Sequence, residues 1–166
     1  KVVVLDKGAT AYEASSRATG YLSLRGETPE ESPLAQVAEK LWDGLDEELG
    51  YPTEWTQKGR IWAAMNEREF DELKELYRSF ETTDIEFEFV DGAALRRMVP
   101  GLSESCLGGI WTPRSGHANP QRASQAFAFA FTDRGGEIRE YTPVLQVLAE
   151  GGRVRGVRTP YGEIHA

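Results

Sequence analysis

Three groups of residues carry side chains whose type and spacing suggest chemistry. The first is Asp6, which closes the apolar run Val2, Val3, Val4 and Leu5 and is followed by Lys7 and Gly8. An acid at the carboxyl end of a parallel strand stands where a dinucleotide fold accepts hydrogen bonds from a ribose. A carboxylate suits that role because it offers acceptors to both hydroxyls. The same residues also read as a strand entering an ordinary turn that Asp6 opens. The second group is ASSRATG, residues 14–20, where three hydroxyls and a guanidinium sit among small residues. Small residues let backbone N–H groups approach an anion, and hydroxyls and arginine add donors for phosphate oxygens. A solvated loop with no ligand explains the composition equally well. The third group is Cys106 with His117 and His165. Ser105, Leu107 and Gly108 give the thiol no activating base, so Cys106 reads as a small core residue rather than a nucleophile. The histidines stand in no metal-ligand spacing with cysteine or acids, and no metal is expected. GxSxG, HExxH and P-loop patterns are absent from the sequence.

The elements that must position these residues follow from periodicity and caps. Val2–Leu5 is a continuous β-branched run and reads as a strand covered on both faces, as in a parallel sheet. Ser32-Pro33 starts a helix in which Val37, Leu41, Leu45 and Leu49 recur every four residues until Gly50 stops it. Gln57–Met65 reads as a strand. Asn66 caps a second helix with Glu69 as its capping-box partner and Phe70, Leu73, Tyr77 and Phe80 as its apolar stripe. IEFEFV, residues 85–90, alternates as a half-buried strand does. Asp91 caps a short helix ending before Pro100, and Leu107–Thr112 is a further strand. Asn119-Pro120 opens a third long helix bearing Phe127 and Phe131 and closed by Gly135-Gly136. Strands follow from Glu137 onward, with a hairpin at Gly151-Gly152 and a last strand at Glu163–His165. The four tryptophans and the aromatic stripes are expected in the core. The class is α/β to α+β.

Bulk properties narrow the partners. A net charge of −8 without a run of lysine or arginine argues against nucleic acid or an anionic membrane surface. A single cysteine permits no intrachain disulfide, and no signal peptide is visible, so a cytoplasmic location is expected. No run of about 18 apolar residues marks a membrane span. At 166 residues the chain fits one domain or a portion of a two-domain enzyme. It opens without methionine, in the middle of an expected sheet, and closes on a strand that lacks a successor.

The order KVVVLDKG, SSRATG, SGHANPQRASQAFAFA and GGEIREYTPVLQVLAEGGRVRGVRTPYGEIHA resembles the flavin-dependent amine oxidoreductases of the D-amino-acid oxidase superfamily. The resemblance is strongest to the group of sarcosine oxidase β-subunit, glycine oxidase, opine oxidase and hydrogen cyanide synthase. It covers nearly the whole chain. It implies a partial FAD-binding Rossmann-like domain and part of a mixed-sheet substrate domain. Residues 1–50 would be an FAD-domain segment, 51–115 a substrate-domain segment and 116–166 a return to the FAD domain. In the family a strand and its GxGxxG turn precede the segment matched here, and further cofactor and substrate segments follow it. The chain is therefore expected to be an internal piece, inactive alone and a poor binder of FAD.

The resemblance also implies roles, residue by residue. Asp6, with Lys7 beside it, matches the acid on the adenosine ribose. Ser15, Ser16 and Arg17 match the loop near the pyrophosphate. Thr19, Gly20 and Tyr21 match the segment near the flavin ring, and Val144 matches a residue whose backbone meets the adenine. FAD is the implied cofactor. In heterotetrameric sarcosine oxidases a histidine near the position of His117 carries a covalent FMN; the following Ala-Asn-Pro departs from that pattern and favours a structural histidine. The implied reaction is oxidation of a carbon–nitrogen bond in an amino acid or secondary amine, by hydride transfer to flavin, in a protein that could form a hetero-oligomer. The carboxylate-binding arginine of the family falls outside the chain, so no catalytic residue is assigned. Two other readings stand beside this one: a short non-catalytic subunit that kept the scaffold for assembly, and an unrelated small α+β binding domain.

Overall fold

The computed structural model describes residues 1–23 and 28–166. In chain order its elements are β1 (Val3–Leu5), α1 (Ala14–Arg17), β2 (Tyr21–Leu22), α2 (Ser32–Trp42), α3 (Leu45–Leu49), β3 (Arg60–Ala64), α4 (Glu67–Phe80), β4 (Glu88–Asp91), α5 (Gly92–Met98), β5 (Gly108–Thr112), β6 (Gly116–His117), α6 (Pro120–Asp133), β7 (Glu137–Arg139), β8 (Gln146–Glu150), β9 (Arg153–Thr159) and β10 (Gly162–His165). A short 3-10 turn, Pro29–Glu31, leads into α2. These elements form two compact units. One gathers Lys1–Gly20, Leu45–Glu54 and Asn119–Ala166, the other Tyr21–Gly44 and Trp55–Ala118.

In the first unit β1 pairs in parallel with β7, with Val4 opposite Ile138. Helix α6 starts where the Asn119 side chain accepts from the Arg122 N–H, and Pro120 occupies its first turn. Its buried face is made of Ala123, Ala126 and Ala130, while Phe127 and Phe129 are about half exposed. Of the two phenylalanines expected in the core here, Phe127 is half exposed and Phe131 is half buried over Gly136, and the fully buried positions of the helix are alanines. Small side chains let α1 and α3 approach α6 closely, and α3 contributes the buried Leu45 and Leu49. Arg134 ties the helix end to α3 by donating to the Glu48 carbonyl at 2.8 Å. The strands β8, β9 and β10 form an antiparallel meander with a bulge at Leu148/Ala149. The coverage expected on both faces of Val2–Leu5 is not seen: Val2 is 62 % and Val4 45 % exposed, so the face that carries these two valines is not covered by the packed elements.

The second unit is built on the antiparallel sheet β3-β5-β4. Its core joins Ala64, Leu73 and Ile110, with Trp62, Phe70, Tyr77, Phe87 and Phe89 packed against them. The Asn66 side chain caps α4 by accepting from the Glu69 N–H at 3.0 Å, and Glu69 reaches back to the Met65 N–H at 2.8 Å. The Asp91 side chain caps α5 through the Ala94 N–H. Successive residues of a strand face opposite sides, and two glycines of β5 use this. A Cβ on Gly108 would lie 2.7 Å from the Phe70 ring of α4, and one on Gly109 would lie 3.0 Å from Leu95 of α5. Each missing side chain admits a helix to its face. Cys106 is buried, with its thiol directed at the Gly108 carbonyl.

The single helix expected over Ser32–Gly50 is instead α2 and α3, broken at Asp43-Gly44. Its four-residue spacing spans two cores. Leu45 and Leu49 are buried in the first unit, whereas Val37 and Leu41 are more than half exposed in the second. What α2 buries is polar: Glu39, 4 % exposed, accepts from the Arg114 Nε at 2.7 Å and the Gln57 amide at 3.0 Å. The two units also interleave more finely than a division at residues 50 and 115, since residues 21–44 pack with the second unit and 45–54 with the first.

Candidate functional site

The first unit assembles a loop cluster at the carboxyl ends of β1 and β7. The Asp6 N–H donates to the Arg139 carbonyl at 3.0 Å, and the Asp6 carbonyl accepts from the Thr142 N–H at 2.7 Å. Its Oδ1 accepts from the Gly8 N–H at 2.8 Å, closing a turn on itself. Oδ2 has no partner among the described residues. The Tyr141 N–H donates to the Gly8 carbonyl at 3.1 Å. These bonds hold residues 6–8 against 139–142, and the exposed Val144 follows on the same connection. Two residues singled out from distant parts of the sequence, Asp6 and Val144, therefore belong to one loop cluster.

Beside it the Thr10 N–H donates to Glu140 Oε1 at 2.7 Å. Hydrogen bonds from the Thr10 hydroxyl and N–H hold the Glu140 carboxyl below its usual range. A groove of about 580 Å³ runs along this edge, lined by Thr10, Phe129, Thr132, Ile138 and Glu140. Nothing in the sequence pattern marks these residues, because the groove arises where α6 passes the end of β7.

Residues 14–17 form the short helix α1, packed on α6. The Ser16 hydroxyl donates to the Tyr12 carbonyl and, at 3.0 Å, to the Glu13 carbonyl. Its proton is thus committed to its own turn, and Ser16 fixes the loop rather than offering a donor outward. Ser15, Arg17 and Lys7 keep their donors without a side-chain partner among the described residues. Thr19 is exposed, and Gly20 adopts φ +75°, a conformation that favours glycine.

Tyr21 belongs to the second unit. It lies on β2 directly opposite His117 of β6. His117 is exposed; its N–H donates to the Thr56 carbonyl at 3.0 Å, and the Thr56 hydroxyl stands 3.3 Å from both ring nitrogens. Nothing in this geometry supports attachment of FMN at His117. The Tyr21 ring also carries the Arg60 guanidinium, 3.9 Å from its centroid, a contact that no local pattern announces. Among the described residues there is no group of three His, Cys, Asp or Glu side chains that could hold a metal ion. No described helix is long and apolar enough to cross a membrane.

The chain is similar to known proteins along its whole length. The DAO family, described as FAD dependent oxidoreductase, matches residues 1–166. The sarcosine oxidase subunit beta of Rhodobacter capsulatus is 24% identical over 98% of the chain and 41% of that protein. The mitochondrial pyruvate dehydrogenase phosphatase regulatory subunit of Mus musculus is 26% identical over 98% of the chain and 19% of that protein. The crystal structure of glycine oxidase from Geobacillus kaustophilus superposes with a TM-score of 0.92 at 27% identity, over 99% of the chain and 46% of that protein. The chain thus spans less than half the length of each of these relatives.

Proposed function

Because the chain belongs to the DAO family of FAD-dependent oxidoreductases along its whole length, we propose that its protein oxidises the C–N bond of an amino acid or secondary amine, with FAD as cofactor. The observation that carries this reading is the half-satisfied carboxylate of Asp6. At the carboxyl end of a parallel strand, Oδ1 is spent on the Gly8 N–H and Oδ2 remains open. The open oxygen leaves acceptor capacity for a ribose hydroxyl at the position where a dinucleotide fold places its acid.

The residues around it fit the group. Asp6 would accept from the ribose hydroxyls, and the connection carrying Val144 would face the adenine. Ser15 and Arg17, with donors uncommitted, would serve the pyrophosphate, and Lys7 adds positive charge beside it. Ser16 keeps their turn in shape. Thr19, Gly20 and Tyr21 would line the path toward the isoalloxazine. FAD when bound supplies the acceptor for a hydride from the carbon bearing nitrogen, and water hydrolyses the resulting imine. The residues of this chain bind and orient; no proton transfer is assigned to them. Residues 21–44 and 55–118 would belong to the substrate domain, and the remainder to the FAD domain.

The test is product analysis with the full-length protein. Amino acids and N-alkyl amino acids are offered with an electron acceptor, and the oxo compound and released amine are quantified. Appearance of both in step with reduced acceptor supports the reading. A second reading, a non-catalytic subunit on the same scaffold, draws support from the regulatory subunit named among the relatives. It predicts a folded protein that turns over none of these compounds.

A further inference from the structure

Helix α2 is turned inside out. Leu34, Val37 and Leu41 form an apolar stripe on its exposed side, while the residues it buries are Ser32 and Glu39. Glu39 stands at a cavity of about 170 Å³ within the second unit, together with Lys40 of the same helix, Asp84 and Glu86 ahead of β4, and Arg114 and Ser115 from the turn after β5. None of these residues belongs to the loop cluster around Asp6.

Two of them are buried polar groups whose hydrogen bonding is incomplete. Glu39 uses one carboxylate oxygen: its Oε1 accepts from Arg114 Nε at 2.7 Å, from Arg114 Nη2 at 2.5 Å and from the Gln57 amide at 3.0 Å. Its Oε2 has no partner among the described residues. Ser115 is 1 % exposed. The Ser115 N–H donates to the Thr112 carbonyl at 3.3 Å and the Ser115 carbonyl accepts from the Gly59 N–H at 2.7 Å. The Ser115 hydroxyl, by contrast, meets no partner among the described residues. A buried polar atom without a hydrogen bond costs free energy, and folded proteins rarely leave one unmatched. Here two residues with such atoms line one cavity. A hydroxyl can accept as well as donate, whereas an ionised carboxylate can only accept, so the group that completes both is a hydrogen-bond donor.

The surrounding charge sets the sign of that donor. Arg114 is already paired with Glu39. Lys40 is the other cation of the lining, and it faces the exposed carboxylates of Asp84 and Glu86, which form no ion pair among the described residues. Three carboxylates thus line the cavity against two cations. A water molecule occupies about 30 Å³ of liquid, so the space exceeds one water and admits a group of a few heavy atoms. We propose that this cavity binds a small primary ammonium ion, which donates to Glu39 Oε2 and to the Ser115 hydroxyl oxygen. Several N–H donors on one positive centre match both acceptors at once, and the bond to the carboxylate is charge-assisted. The proposal stands apart from the oxidoreductase reading, and its test is a binding measurement.

The full-length protein is titrated by calorimetry with methylammonium chloride, and with tetramethylammonium chloride, sodium chloride and methanol for comparison, all at one ionic strength. Methylammonium should bind saturably; tetramethylammonium and sodium, which have no N–H, and methanol, which has no charge, should not. Glu39→Gln puts an amide NH₂ in place of the open oxygen and should weaken methylammonium at least about tenfold, and Ser115→Ala should weaken it about two- to tenfold. Methylammonium bound at a substrate site for amines would respond to neither change, so failure here and failure of the oxidoreductase reading are told apart. No saturable binding of methylammonium, equal binding of methanol or tetramethylammonium, or affinity within about twofold of the parent in Glu39→Gln overturns the proposal. If Glu39→Gln does not fold by circular dichroism, Ser115→Ala, which leaves the Glu39–Arg114 pair intact, decides, and undiminished affinity in that variant overturns the proposal too.

Discussion

Replacing Asp6 by asparagine separates the loop bond of the carboxylate from the ribose contact proposed for it. Oδ1 accepts from the Gly8 N–H at 2.8 Å and shapes the loop; Oδ2 has no partner among the described residues and, on the proposed reading, is the acceptor for a ribose. An asparagine keeps a carbonyl oxygen for Gly8 but replaces the second oxygen by an NH₂ donor, which cannot accept from a hydroxyl. A hydrogen bond to a charged group contributes about 1.5–3 kcal/mol, so FAD affinity of the full-length protein should fall about 10- to 150-fold. The apoprotein should melt as the parent does, because the backbone bonds from Asp6 to Arg139 and Thr142 are untouched. Asp6→Ala loses the loop bond as well and should bind FAD more weakly still. The assay is fluorescence titration of stripped apoprotein with FAD, beside a thermal melt without it. An Asp6→Asn protein that melts normally and binds FAD with parental affinity would refute the ribose assignment.

Other outcomes follow from the packing. Leu95 of α5 is fully buried, so Leu95→Ala should cost about 2–5 kcal/mol, read as a lower denaturant midpoint of the full-length protein. Arg114→Met strands the buried Glu39 carboxylate with only the Gln57 amide and should cost about 3 kcal/mol, whereas Glu39→Gln, which leaves a half-exposed Arg114 to water, should cost less; the reverse ranking would count against the buried charge as the costly partner. The Glu69 carboxyl is held below its usual range, first by the Met65 N–H and then by the Asn66 side chain. Its folded value lies under its unfolded one, so its support of the α4 start is present above the unfolded value and lost as pH falls through the folded value. Exchange of the amides of the first turn of α4 should accelerate over that acid range in the parent protein and not in Glu69→Gln.

The legible part of the fold was the part written in local hydrogen bonds. Asn66, Asp91 and Asn119 each cap the helix that their types and positions announce, because a cap is decided within three residues. The strand expected over residues 85–90 is seen only at Glu88–Asp91, yet Phe87 and Phe89 pack on the core while Glu86 and Glu88 are exposed. What the sequence concealed depends on partners far along the chain. The spacing of Val37, Leu41, Leu45 and Leu49 reads as one stripe, yet Gly44 divides it between two cores. In α6 the larger side chains drew attention, while close approach of α1 and α3 selected the alanines. Asp6 was visible as an acid ending a strand, but its link to the connection bearing Val144 required the parallel pairing of β1 with β7. The stacking of Arg60 on Tyr21 gave no signal, since it joins residues far apart in the chain.

The most direct test of the central claim is the flavin spectrum of the full-length protein under anaerobic conditions, recorded before and after addition of amino acids and secondary amines. The account predicts bound FAD whose oxidised absorption bleaches with at least one of these compounds and returns on exposure to an electron acceptor. A well-folded full-length protein that retains no FAD, or whose FAD none of them reduces, would contradict it.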